Sequence, residues 1–87
     1  MLFTVVVDYR GGTYMTQVEA ADAHAAIRKW SVGVTDADLK SWRLDRQTAL
    51  GISEDPPIRI NGLRNAWCAS TTSGRHLLLL NIVATLI

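Results

Sequence analysis

The run Leu77-Leu78-Leu79-Leu80-Asn81-Ile82-Val83-Ala84-Thr85-Leu86-Ile87 constrains the fold of this chain more than any other stretch. Almost every position in it is apolar, so neither of its faces suits water. A helix that crosses a bilayer needs about 20 apolar residues, and this run falls short of that. It reads instead as a strand buried on both sides, with a buried helix as the weaker alternative. One side can be covered by the rest of a small domain. What covers the other side becomes the main question about function.

The start of the chain supplies the partner for the first side. Two β-rich runs, residues 2–9 and 13–20, flank Arg10-Gly11-Gly12-Thr13, and Gly-Gly tolerates the positive φ of a two-residue hairpin loop. With Gly11 and Gly12 as the loop, Arg10 faces Thr13, Tyr9 faces Tyr14, Val7 faces Thr16, Val5 faces Val18 and Phe3 faces Ala20. Phe3, Val5, Val7, Tyr9, Tyr14, Thr16, Val18 and Ala20 then form a core face. Leu2, Thr4, Val6, Asp8, Met15, Gln17 and Glu19 form a mostly polar one. A slip by one residue would bury Asp8, Gln17 and Glu19, so period and turn chemistry agree on the facing.

Helical periodicity follows. Asp22 is an N-cap residue, and Ala23, Ala26, Ile27 and Trp30 recur at i, i+3, i+4 and i+7, with Gly33 where the helix should stop. Trp30 is the expected anchor of that stripe, and His24 is expected on the solvated flank without a role. Thr35-Asp36-Ala37-Asp38 has the form of a capping box and opens a second helix over about 36–49. Leu39, Trp42, Arg46, Ala49 and Leu50 share its apolar face, and Leu44 points away. Arg46 reads as snorkelling from that stripe, with an ion pair or anion contact as the alternative; a helix break near Leu44 would remove the conflict.

The stretch 52–57 ends in Pro56-Pro57 and reads as a connector within one domain. Residues 58–60 read as a short edge strand closed by the turn Asn61-Gly62; a tight hairpin loop there would instead pair Ile60 with Leu63. A second hairpin spans about 65–85 around Thr72-Ser73-Gly74-Arg75, with Thr71 opposite His76, Ala69 opposite Leu78 and Trp67 opposite Leu80. The fold class expected for residues 1–87 is therefore a single α+β domain of order ββααββ. Its four-stranded antiparallel or mixed sheet carries two helices on one face, with 2–9 and 77–85 as the central strands.

Charge and composition exclude several functions. At 48% hydrophobic and 20% charged residues the chain is globular, and its net charge of +1 exerts no general pull on nucleic acid or membranes. The N-terminal residues lack the basic region of a signal peptide, and a single cysteine, Cys68, excludes an internal disulfide framework, so a cytoplasmic location is expected. Two histidines, one cysteine and scattered acids have no metal-ligand spacing, and no Gly-rich phosphate loop is present. A Cys68–His76 nucleophile pair is disfavoured because the expected register sets the two on opposite faces. No cofactor is implied and no reacting group stands out, so an enzyme is not expected. Residues 58–87 do hold Arg59, Arg64 and Arg75 with no acid.

The segments Tyr9-Arg10-Gly11-Gly12-Thr13-Tyr14, Asn65-Ala66-Trp67-Cys68 and Asn81-Ile82-Val83 together resemble a family of short bacterial proteins with a small α+β fold and no established activity. The resemblance spans most of the chain but lies in strands and a turn, so it implies a fold and carries over no functional residue. The opening is also similar in architecture to the HicB antitoxin family, with antiparallel strands followed by an amphipathic helix. Here the helix follows two strands rather than three, and no DNA-binding domain comes after it.

Two functions remain in view. The preferred one is a protein-interaction module, a homo-oligomer or the partner of another protein. Its interface would be the outer face of the second hairpin at Cys68, Leu77, Leu79, Asn81 and Val83. The alternative is a nucleic-acid or anion-binding module using Arg46, Arg59, Arg64 and Arg75, with Arg43 as a further member.

Overall fold

A computed structural model describes residues 1–85; Leu86 and Ile87, the last two residues of the C-terminal apolar run, lie outside the described residues. The first hairpin pairs β1 (Leu2–Tyr9) with β2 (Gly12–Glu19) in antiparallel register, Phe3 opposite Val18, Val5 opposite Thr16 and Val7 opposite Tyr14. The expected facing is present, but β2 is displaced by two residues from the expected pairing. The loop is Arg10-Gly11 rather than Gly11-Gly12, and both of its residues have positive φ, 50° and 81°. Those are the signs of a type I′ turn, whose twist matches the strands it joins. Gly12 is free to enter β2 because it has a second role. The Tyr14 ring lies across it so closely that a Cβ would collide with the phenol.

The second hairpin repeats the pattern. Strands β4 (Ala66–Ser73) and β5 (His76–Thr85) are joined by Gly74-Arg75, so Ser73 faces His76, Thr71 faces Leu78, Ala69 faces Leu80 and Trp67 faces Ile82. This too is shifted by two residues from the expected register and keeps the facing. A Gly at the first loop position with φ 59° fits a type II′ turn. Both observed connections are two-residue loops, with the ladder paired up to the turn so that few backbone groups are left without partners.

The sheet has five strands rather than four, all antiparallel, in the order β2-β1-β5-β4-β3. β1 and β5 are interior, as their apolar content demands. The fifth strand is β3 (Ile58–Arg59), which pairs with β4 through Ile58–Cys68 and Arg59–Trp67. Ile60 continues this ladder with its N–H to the Ala66 carbonyl, and Leu63 N–H closes a turn onto Ile60 over Gly62 at φ 82°.

Three helices, not two, cover one face. Helix α1 (Ala23–Gly33) is capped by Asp22, whose carboxylate accepts from Ala25 N–H, and it buries Ala23, Ala26, Ile27 and Trp30 against the sheet. His24 is half-buried rather than solvated and hydrogen-bonds the Ser53 carbonyl, tying α1 to the connector. The single helix expected over 36–49 is broken into α2 (Asp36–Trp42) and α3 (Arg46–Gly51). Arg43 takes the left-handed conformation at φ 61°, its N–H reaching the Lys40 carbonyl and Leu44 N–H reaching the Leu39 carbonyl. This pair of bonds is a Schellman motif, and the apolar contact that accompanies such motifs is supplied by Leu39 and Leu44, both buried.

The break corrects two expectations. Leu44 is turned into the core, and Leu50 is left 40% exposed while Ile52 is buried in its place. Arg46 opens α3 and does not snorkel. Its guanidinium donates to the Ser31 carbonyl at 3.0 Å and pairs with Asp36 at 2.9 Å, linking α1, α2 and α3.

Candidate functional site

The helices all lie on the face that carries Phe3, Val5, Val7, Tyr9, Leu78, Leu80 and Ile82, which form the core with Trp30 and Leu39. The opposite face of the sheet has no helix on it among the described residues. Strand pairing arranges that face in rows. One row runs Met15, Val6, Asn81, Cys68, Ile58 across all five strands. On one side of it lie Asp8, Leu79 and Ser70, and beyond them Leu77 and Thr72. On the other lie Gln17, Thr4, Val83 and Ala66. The five residues expected at an interface, Cys68, Leu77, Leu79, Asn81 and Val83, therefore share one continuous surface. Sequence reading did not place Met15, Val6 and Ile58 beside them, because β1–β5 and β3–β4 pairing is non-local.

This surface is unusually apolar for one that meets water. Met15 is 72% exposed, Ile58 71% and Leu77 54%. Among the described residues its strand positions carry no lysine or arginine, and Arg10 of the β1–β2 turn borders a groove at its edge with Asp8, Leu77 and Leu79. Its two acids sit toward its margins, where Asp8 accepts a hydrogen bond from Thr13 and Glu19 pairs with the N-terminal ammonium at 3.2 Å. Gln17 and Thr85 hydrogen-bond Thr4, so part of its polarity is satisfied within the sheet. Asn81 occupies the middle of β5, the third of the five strands, and so stands near the geometric centre of the face.

The arginines expected to form an anion site are dispersed. Arg46 is committed to Asp36 and Ser31. Arg59 lies over the Trp67 ring, 5.7 Å from its centroid, on the helix-covered side of the sheet. Arg64 is in the exposed β3–β4 loop. Arg75 is in the β4–β5 turn, at the far end of β4 from Arg59 and Arg64. Residues Cys68 and His76 lie on opposite faces: Cys68 is opposite Asn81 on the open side, whereas His76 packs edge-on against Tyr9, 6.1 Å between centroids. Among the described residues no three His, Cys, Asp or Glu side chains are grouped to hold a metal, and no helix is long and apolar enough to cross a membrane.

The helix-covered side has two clefts of note. A cavity of about 330 Å³ lies between β2 and the ends of α1 and α2, lined by Tyr14, Val18, Lys29, Val34, Asp38 and Trp42 among others. A smaller one, about 180 Å³, lies between the first hairpin turn and the end of α2, lined by Tyr9, Arg10, Tyr14, Ser41, Trp42 and Arg43. The post between hairpin and helix is a stacked pair, Tyr14 on Trp42, with centroids 4.3 Å apart and planes 18° from parallel. Asp45 caps α3 nearby. Hydrogen bonds from the Thr48 side chain, then from the Thr48 N–H, and finally from Ser73 hold its carboxyl below the ordinary aspartate range.

No family model, no curated protein and no solved structure matches this chain.

Proposed function

We propose that this protein is a non-enzymatic interaction module that joins a second copy of itself through the open face of its sheet. The observation that carries the reading is that this face exposes Met15, Ile58, Leu77 and Val83 around Cys68, Leu79 and Asn81, while every helix among the described residues lies on the other side. Exposed apolar patches larger than a few hundred Å² mark interaction surfaces. Four strands of eight to ten residues and the two-residue β3, about 4.8 Å apart at 3.4 Å per residue, span about 600 Å². Two such faces together remove about 1,200 Å² from water, the lower bound for a stable interface.

A second copy suits the face better than an arbitrary partner because the face is nearly self-complementary. Its charged residues, Asp8, Glu19 and the bordering Arg10, all sit at its margins, so two copies bring apolar centres together and leave charges at the rim. Around a two-fold axis near Asn81 the carboxamides of the two copies meet. A single amide pair in an apolar interface defines register, as a lone Asn does in a coiled coil.

Light scattering across the micromolar range tests this. The wild-type chain is expected to approach twice the monomer mass as concentration rises, and Leu79→Lys to remain monomeric, because a buried lysine without a partner is costly. A wild-type monomer unaltered by Leu79→Lys would overturn the reading.

A further inference from the structure

Among the described residues the two non-glycine residues with positive φ are both arginines, Arg10 at 50° and Arg43 at 61°. They come from unrelated elements, a type I′ hairpin turn and a helix-terminating Schellman motif. Both positions favour Gly, Asn or Asp, because a Cβ in the left-handed region meets the neighbouring carbonyl. Yet both carry a long cationic side chain, and both line the same 180 Å³ cleft. Helix α2 and the hairpin are held in that relation by the Tyr14–Trp42 stack, and the stack in turn depends on the absence of a side chain at Gly12.

Neither guanidinium is neutralised. The described residues form two ion pairs, Met1 with Glu19 and Arg46 with Asp36, and neither includes Arg10 or Arg43. The acids closest in sequence are engaged elsewhere. Asp8 accepts from Thr13 on the open face of the sheet, where Arg10 also borders a groove beside it, and Asp45 is held by Thr48 and Ser73 at the start of α3. Toward the end of α2 the Lys40 and Leu39 carbonyls accept from the N–H groups of Arg43 and Leu44. The cleft is lined by these two arginines, Ser41 and the aromatic residues Tyr9, Tyr14 and Trp42.

We propose that this cleft binds a phosphate group. A carboxylate is planar, and one arginine fork can satisfy both of its oxygens. A phosphate presents three acceptor oxygens in different directions with about −1.5 to −2 charge, which suits a cleft to which two arginines from separate elements and Ser41 all contribute. At about 180 Å³ the cleft is below the roughly 300–1,000 Å³ of sites that enclose a whole small molecule. It therefore grips the phosphate and leaves any organic body outside, beside the half-exposed Trp42 ring. Free phosphate and a phosphate monoester share this chemistry. Backbone strain retained at two places around one cleft is the pattern expected of a binding site rather than of a stability device.

The test is an NMR titration of the intact protein with sodium phosphate and, separately, with adenosine 5′-monophosphate, sodium chloride keeping ionic strength constant. The amides of Arg10, Ser41 and Arg43 are expected to shift and saturate. Arg43→Gly is the informative variant, because glycine suits the left-handed position and so preserves the fold. It is expected to weaken binding at least about tenfold, the usual scale for losing a charged hydrogen-bonding partner. Binding of either ligand supports the site. Tighter binding of the monophosphate with a shift of the Trp42 indole identifies an ester as its occupant, and equal affinities identify the free ion. The same shifts produced by chloride alone, or undiminished affinity in a folded Arg43→Gly, would overturn the proposal.

Discussion

Leu77 and Leu78 are chemically identical neighbours in one strand, yet one is 54% exposed and the other fully buried. The same contrast divides the whole sheet. On the helix-covered face Phe3, Val5, Val7, Leu78, Leu80 and Ile82 lose essentially all contact with water. On the open face Met15, Ile58, Leu77 and Val83 do not. A strand alternates its side chains, so each face receives its own set, and hydrophobicity alone does not decide which set is covered. In this chain the two sets are nearly equally apolar through β5, and only one has helices to meet it. The lesson is that an apolar side of a strand reports a need for burial without saying what supplies it.

The comparison is sharpest at adjacent leucines. Leu80→Ala opens a cavity in the closed core and is expected to cost about 2–5 kcal/mol in denaturant unfolding. Leu79→Ala, one residue away, should cost under about 1 kcal/mol when measured on the monomer. Equal costs would break the distinction between the faces. The next effect is on association, where Leu79→Lys should raise the dimer dissociation constant at least about thirtyfold, equivalent to about 2 kcal/mol. A surface that served no partner would show no such change.

Smaller effects test the helix side, where the break between α2 and α3 reorganises the core. Asp45→Ala removes the cap of α3 and should cost about 1 kcal/mol at neutral pH. Because the folded state holds the Asp45 carboxyl below its ordinary value, the ionised form is the one that stabilises. That contribution is complete above the unfolded pKa and is lost as pH falls through the depressed folded one. The difference between wild type and Asp45→Ala should therefore shrink below about pH 4. The smallest effect has the opposite sign. Arg43→Gly relieves a left-handed arginine and should raise stability by about 0.5–1 kcal/mol in thermal or urea unfolding. Increased stability together with lost phosphate binding would show that Arg43 is kept for its side chain.

Much of the fold was legible in the residues themselves. The facing of both hairpins, the Asp22 cap and buried stripe of α1, and the Thr35 start of α2 all follow from local period and capping chemistry. The two-residue register shifts were not legible, because Arg10-Gly11 and Gly11-Gly12 place the same side chains on the same faces. Only the ladder distinguishes them. A break near Leu44 was visible as an alternative to one continuous helix, through the misplaced Arg46, but its seat at Arg43 was not, because arginine is a poor signal for a left-handed C-terminus. The short β3 was half visible, since Ile58-Arg59-Ile60 looks like a strand but its partner lies beyond an intervening loop. For the candidate interface, Cys68, Leu77, Leu79, Asn81 and Val83 were readable from alternation within one hairpin. Val6, Met15 and Ile58 joined them only through pairing between distant segments.

The residues of this chain by themselves determine that its C-terminal strand has two apolar sides, since that depends on side-chain order and a period of two. Tertiary structure alone decided which side is covered. The three helices, all between β2 and β3 in the chain, pack on one face of the sheet, and nothing among the described residues is left for the other. It likewise decided that Arg10 and Arg43, 33 positions apart in the sequence, share a cleft. Alternation is a local property of the backbone, whereas coverage and convergence depend on where distant segments meet.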